Sequence, residues 1–146
     1  RPIWMADEAV IRGADVLCLA DTIGTTTPLR VQKLVDAVRD VASGRDVGAH
    51  FHNTRGTGIA NALAAVLGGV TSLDASVGGL GGCPFAPGAS GNIATEELVY
   101  MLENCGVETG IDLDLMLHAV AVAEAAVGHE LQSSLYRAGG QARPLG

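Results

Sequence analysis

Apolar and polar positions along this chain fall into two alternating patterns. Short apolar runs bounded by turn formers predict buried strands, and apolar positions recurring at helical spacing predict amphipathic helices. Residues 6–13 (ADEAVIRG) read as the end of a helix, and ADVLCLADT (14–22) reads as a strand that ends at Asp21. Thr27 followed by Pro28 has the form of a helix cap with proline in the first turn. Val31, Leu34, Val35, Val38 and Val41 then share one face of a helix that closes at Gly44. The order repeats with a strand over 47–53, a helix over 58–69, a strand over 72–77, a glycine-rich loop and a helix over 94–106. A helix over 112–127 completes the series. Beyond Gly128 the periodicity fades, so residues 129–146 are expected to form a surface tail or to be partly disordered.

Strict alternation of helices with strands that look apolar on both faces specifies a parallel sheet covered by helices. An open doubly wound sheet and a (β/α)8 barrel both have this order. No dinucleotide-type glycine fingerprint follows the first strand, and polar residues gather where strands end, which favours the barrel. A complete barrel takes about 250 residues, and the chain has 146. The expected fold class is therefore α/β, the C-terminal half of a (β/α)8 TIM barrel over residues 1–128 with a tail over 129–146. The front half would be absent or supplied by another chain.

Composition narrows the functional classes. With 48% hydrophobic and 3% aromatic residues, the core must be aliphatic and its backbones closely approached. A net charge of −7, with Lys33 the single lysine beside eight arginines, leaves no basic stripe for nucleic acid. The uncharged stretch Gly56 to Leu73 is interrupted by Asn61, paired glycines, Thr71 and Ser72, so it reads as a core helix and turn and not as a membrane span. The opening RPIWMADEAV, with two acids, does not read as a signal peptide. Three cysteines at spacings of 65 and 22 do not form a disulfide framework. Reduced thiols and a cytoplasmic location are expected.

The candidate chemistry sits at strand ends. In AHFHNT, His50 and His52 are two apart, so on a strand both imidazoles point to the same side at chelate spacing. One core histidine beside one solvated histidine has the same spacing, but the carboxyl end of a barrel strand favours metal. GGLGGCPFAPGASGN (78–92) contains six glycines and two prolines around Cys83. A mobile glycine loop would carry that thiol over a substrate, whereas a tight structural turn would use it as a small hydrophobe. Glycine content does not choose between these. Asn92 precedes IATEEL and could cap the next helix or offer its oxygen to a hard cation, and spacing favours the cap. Cys18 and Cys105 read as structural, and His118 and His129 receive no role.

LADTIGTTTP, HFHNTRGTGIANALAA and above all GGLGGCPFAPGASGNIATEELVYML resemble the 3-hydroxy-3-methylglutaryl-CoA lyase family, within the metal-dependent TIM-barrel lyases, aldolases and acyl-CoA synthases. The resemblance covers about residues 10–128. It implies that His50 and His52 are metal ligands, with His50 also catalytic, and that Asn92 is a further oxygen ligand. It makes Cys83 the catalytic thiol of a mobile loop, with Asp21 and Glu96 as supporting acidic residues. The implied cofactor is Mg²⁺ or Mn²⁺. The implied substrate is a small-molecule acyl-CoA, cleaved to acetyl-CoA and acetoacetate by a retro-Claisen step.

This chain departs from the family pattern in three places. The Arg-Asp pair of the family's first strand has no counterpart. Asn53, Thr54, Arg55 and Gly56 stand where the lyases carry Asp-Thr-Tyr-Gly, which opens the substrate to related 3-hydroxyacyl-CoA esters. No cysteine follows Cys105. Two function classes follow: a lyase active only with its other half present, or a non-catalytic assembly module. A half barrel exposes sheet edges, so a homo-oligomer or pairing with the missing half-barrel is expected, with no nucleic-acid or membrane partner.

Overall fold

A computed structural model describes residues 2–82, 88 and 90–140; Cys83 lies outside the described residues. The elements are α1 (Pro2–Ile11), β1 (Val16–Asp21), α2 (Pro28–Val41), β2 (Asp46–Phe51), α3 (Gly58–Leu67) and β3 (Ser72–Asp74). A 3₁₀ turn (Val77–Gly79) follows, then α4 (Thr95–Asn104), α5 (Leu113–Val127) and α6 (Ser134–Arg137). Parallel strands thus alternate with helices as the sequence predicts. The chain divides into two compact units, Arg1–Asp74 and Ala75–Gly146.

The first unit is built on a parallel sheet in the order β1-β2-β3. Its register pairs Ala20 with His50 and His50 with Asp74. Because side chains alternate along a strand, Leu17, Val47, Ala49 and Phe51 share one face, and all four are buried. On the other face Cys18, Ala20, Ser72 and Asp74 are exposed and His50 is half-buried. The strands are therefore apolar on one face only, not on both. Helices pack on the odd-numbered side, and the even-numbered side carries the polar groups.

Local chemistry explains the helices of this unit. Thr27 is extended (φ −131°, ψ 157°) and Pro28 opens α2, although the threonine hydroxyl makes no capping bond. Val31, Val35 and Val38 are buried along one stripe, while Leu34 and Val41 lie half-buried beside it. In α3, Ala62 and Ala65 are fully buried, and such small residues let the neighbouring α2 approach closely. β1 pairs with β2 along one edge; among the described residues its other edge has no strand partner. Beside β1 lies a cavity of about 580 Å³ lined by Met5, Leu17, Leu34 and Phe51, among others.

Among the described residues of the second unit, β-structure is reduced to a parallel bridge between Ser76 and Ala94, so the strand expected over 72–77 ends at Asp74. Asp112 caps α5 by accepting from the Leu115 amide, and Gly128 ends that helix in the left-handed conformation (φ 75°). Over residues 129–140 the chain is mostly exposed but anchored at Leu131, Ser133 and Gly140, which are buried. Leu131 is 3% exposed. Its amide donates to Glu124 Oε1 (2.7 Å), and Ser133 caps α6. Among the described residues, no helix is long and apolar enough to cross a membrane.

Candidate active site

The end of β2 brings two imidazoles together. The rings of His50 and His52 lie with centroids 5.1 Å apart at an interplanar angle of 61°. His50 is half-buried, and its Nδ1 is hydrogen-bonded to Oδ1 of Asp74, its register partner on β3. His52 is 6% exposed, and its Nδ1 is buried with no hydrogen-bond partner among the described residues.

Asp21 ends β1 next to this pair of histidines in the sheet, opposite Phe51. Its carboxylate is committed to the backbone: Oδ1 accepts from the Thr25 amide (3.0 Å) and Oδ2 from the Thr26 amide (2.9 Å). These bonds shape the turn that leads into α2. A second set of bonds fixes the loops after β1 and β2. Arg55 Nη1 donates to the carbonyls of Ile23 (3.3 Å) and Gly24 (3.1 Å), and Asn53 Oδ1 accepts from the Gly58 amide at the start of α3. Gly24 approaches Thr54 so closely that a Cβ there would clash with its side chain and backbone. Of the departures from the family pattern, Arg55 thus ties the two loops together, and Asn53 holds the start of α3.

Cys18 lies on the same open face and is exposed, not buried as a structural residue. Partial burial, and then the nearby Asp74 carboxylate, push its thiol above the ordinary range. Cys18 therefore stays protonated at neutral pH and is not a nucleophile there.

In the second unit the glycine segment is held from two points. Asn92 Nδ2 donates to the Leu80 carbonyl (2.8 Å), and Glu96 Oε2 accepts from the Gly78 amide (3.1 Å). Glu96 is fully buried in the first turn of α4. Gly78, Gly79 and Gly81 all have positive φ (59°, 70° and 105°), which L-residues adopt only under strain. The N-cap of α4 is Ala94, without a side-chain capping bond. Asn92 is therefore not the cap that its spacing favoured. Its Oδ1 is buried without a partner among the described residues, as is Oε1 of Glu96.

An unpartnered buried polar atom costs about 1–3 kcal/mol unless a ligand satisfies it. An imidazole nitrogen and an amide oxygen are each donors that suit a divalent cation, so the open His52 Nδ1 of the first unit and the open Asn92 Oδ1 of the second are, each by itself, of a chemistry that fits such a group. Among the described residues, no cluster of three or more His, Cys, Asp or Glu is arranged to hold a metal. The structure thus places His50, His52 and Asp21 at one sheet end of the first unit, and Asn92 and Glu96 around the glycine segment of the second. Asp74 was missed by sequence reasoning. Its signal was an acid at the last position of a parallel strand, which the reading of 72–77 as a plain apolar strand passed over.

Comparison with known proteins places this arrangement in a family. A family profile described as HMGL-like matches residues 3–122. A hydroxymethylglutaryl-CoA lyase of Bacillus subtilis is 44% identical over 121 residues, covering 83% of this chain and 40% of that protein. An (R)-citramalyl-CoA lyase of Chloroflexus aurantiacus is 45% identical over 135 residues, covering 92% of this chain and 43% of that protein. Among solved structures, an HMG-CoA lyase from Acinetobacter baumannii in complex with coenzyme A and 3-methylmalate superposes with a TM-score of 0.89 at 43% identity. That match covers 98% of this chain and 48% of the other. The chain spans about two fifths of the length of these curated relatives and about half of the solved TIM-barrel lyase. The alternating parallel strands and helices are those of a TIM-barrel lyase over about half of its chain, and the chain belongs to the HMGL-like family.

Proposed function

We propose that this chain is part of a divalent-metal-dependent carbon–carbon lyase that cleaves 3-hydroxy-3-methylglutaryl-CoA, or a related 3-hydroxyacyl-CoA, to acetyl-CoA and acetoacetate or the corresponding ketone. The observation that carries this reading is the pair of adjacent imidazoles at the carboxyl end of β2 in a chain of the HMGL-like family. His50, His52 and the open oxygen of Asn92 would hold Mg²⁺ or Mn²⁺, with remaining ligands from the half of the barrel outside this chain. When bound, the cation would polarise the hydroxyl and carboxylate oxygens of the substrate.

The chain's own residues supply the rest. His50, with one ring nitrogen engaged by Asp74, offers the other to the cation or to the hydroxyl proton of the substrate. Loss of that proton lets the carbon–carbon bond break and the thioester enolate depart. Cys83, carried by the glycine loop, is proposed to deliver a proton to that enolate. Asp21 and Glu96 support the site through the backbone, Asp21 by shaping the turn after β1 and Glu96 by holding Gly78. The two relatives of nearly equal identity differ in the acyl group they are named for, so the acyl group is proposed at the level of a class.

The open edge of β1 favours a second reading, in which this chain serves as an assembly module. That edge and the adjoining apolar cavity would accept the front half of the barrel or a second copy of the chain. One experiment separates the readings. The intact protein is assayed for acetyl-CoA release from 3-hydroxy-3-methylglutaryl-CoA and from citramalyl-CoA, with Mn²⁺ and after chelation. Release that is lost on chelation supports the lyase; no release from either ester, with Mn²⁺ bound, supports the module.

A further inference from the structure

The proposed ligand pair is not symmetric. His52 Nδ1 has no partner among the described residues. His50 Nδ1 is held by Asp74 Oδ1, from the strand position directly opposite it in the parallel register. The two groups therefore meet because of backbone pairing, not through a chance excursion of a long side chain. Ala20, the register partner of His50 on β1, is a small residue and leaves the space on that side open.

A carboxylate can only accept a hydrogen bond, so the imidazole nitrogen facing it must carry the proton. In a neutral ring the other nitrogen is then the one with the free lone pair. Asp74 is more than half exposed and makes no other side-chain hydrogen bond among the described residues, so its carboxylate serves no structural network besides this contact. We propose that Asp74 is a positioning residue whose carboxylate holds the Nδ1–H of His50 and thereby presents Nε2 as the acceptor atom of the ring. This rests on the metal-dependent reading above for its consequence, but the tautomer itself is a property of the metal-free protein. Carboxylate–histidine pairs of this kind fix both the ring orientation and the ligating nitrogen, and losing the carboxylate weakens metal binding by about 10–100-fold.

The test uses the intact protein labelled with ¹⁵N-histidine, read by long-range ¹H–¹⁵N correlation at a pH where the ring is neutral, together with Mn²⁺ titration calorimetry. The wild type is expected to show His50 protonated at Nδ1 and unprotonated at Nε2. Asp74→Asn, which keeps the size of the side chain but can also donate, is expected to mix or reverse the tautomer and to weaken Mn²⁺ binding by about 10–100-fold. A merely structural tie between β2 and β3 would not move the tautomer. A wild-type ring protonated at Nε2, or an Asp74→Asn protein with unchanged tautomer, overturns the proposal. The Nδ1–H tautomer in a wild type that binds no Mn²⁺ upholds the role of Asp74 and overturns the metal reading instead.

Discussion

Asn92 donates its amide nitrogen to the Leu80 carbonyl at 2.8 Å, and this bond orients the side chain so that Oδ1 is buried without a partner. A capping asparagine would point that oxygen at helix amides, yet the cap position of α4 belongs to Ala94. Asn92→Ala in the intact protein is therefore expected to leave helix content by circular dichroism unchanged while weakening Mn²⁺ binding by about tenfold or more. Loss of helix content with unchanged metal affinity would return Asn92 to a capping role.

Glu96 and Gly78 form the second support of the glycine segment. Glu96→Ala would leave the Gly78 amide without its acceptor in a fully buried place, and the expected loss of stability is about 1–3 kcal/mol by urea denaturation. Glu96→Gln, which keeps an acceptor oxygen, should lose less. Equal losses for the two variants would show that packing, not the hydrogen bond, is what Glu96 contributes.

Much of this arrangement was legible in the sequence, and what was not has physical causes. The helix stripe Val31, Val35, Val38 and the turn residue Gly44 follow from spacing and from glycine's tolerance of positive φ. The histidine pair follows from the strand period of two. The one-sided polarity of the sheet was not legible, because Cys18 and Ala20 look apolar in the sequence and only the register shows that they share a face with His50 and Asp74. The burial of Leu131 was hidden for a related reason. Its partner Gly78 is 53 residues away in sequence, and no local period encodes a close approach of that span. The capping reading of Asn92 fails because caps are read from spacing, whereas its hydrogen-bond partner, Leu80, lies across the glycine segment.

Cys18 offers a check on the electrostatics of the open face. Its thiol is raised by burial and then by Asp74, so the folded state favours the neutral form. The sign follows: any stability this group contributes is fully present below the ordinary thiol value and is lost as pH rises through the higher folded value. Alkylation of Cys18 by iodoacetamide, followed by mass spectrometry, should be slow at neutral pH and set in above the ordinary thiol range. Asp74→Asn should bring that onset to lower pH. Rapid modification of the wild type near pH 7 would contradict the assignment of Cys18 as a bystander.

Cys83 has a different expected signature. Its proposed work is proton delivery, not chelation, so Cys83→Ser in the intact protein should reduce turnover by orders of magnitude and leave the Mn²⁺ dissociation constant nearly unchanged. Wild-type turnover in that variant would remove the thiol from the mechanism.

Calorimetric titration of the intact protein with Mn²⁺, wild type against His52→Ala, bears on the whole account at once. The wild type should bind one ion, and the variant, with an imidazole removed from the pair at the end of β2, should bind it at least about tenfold more weakly. An unchanged dissociation constant would mean that the two histidines do not hold a cation, and the lyase mechanism built on them would fall.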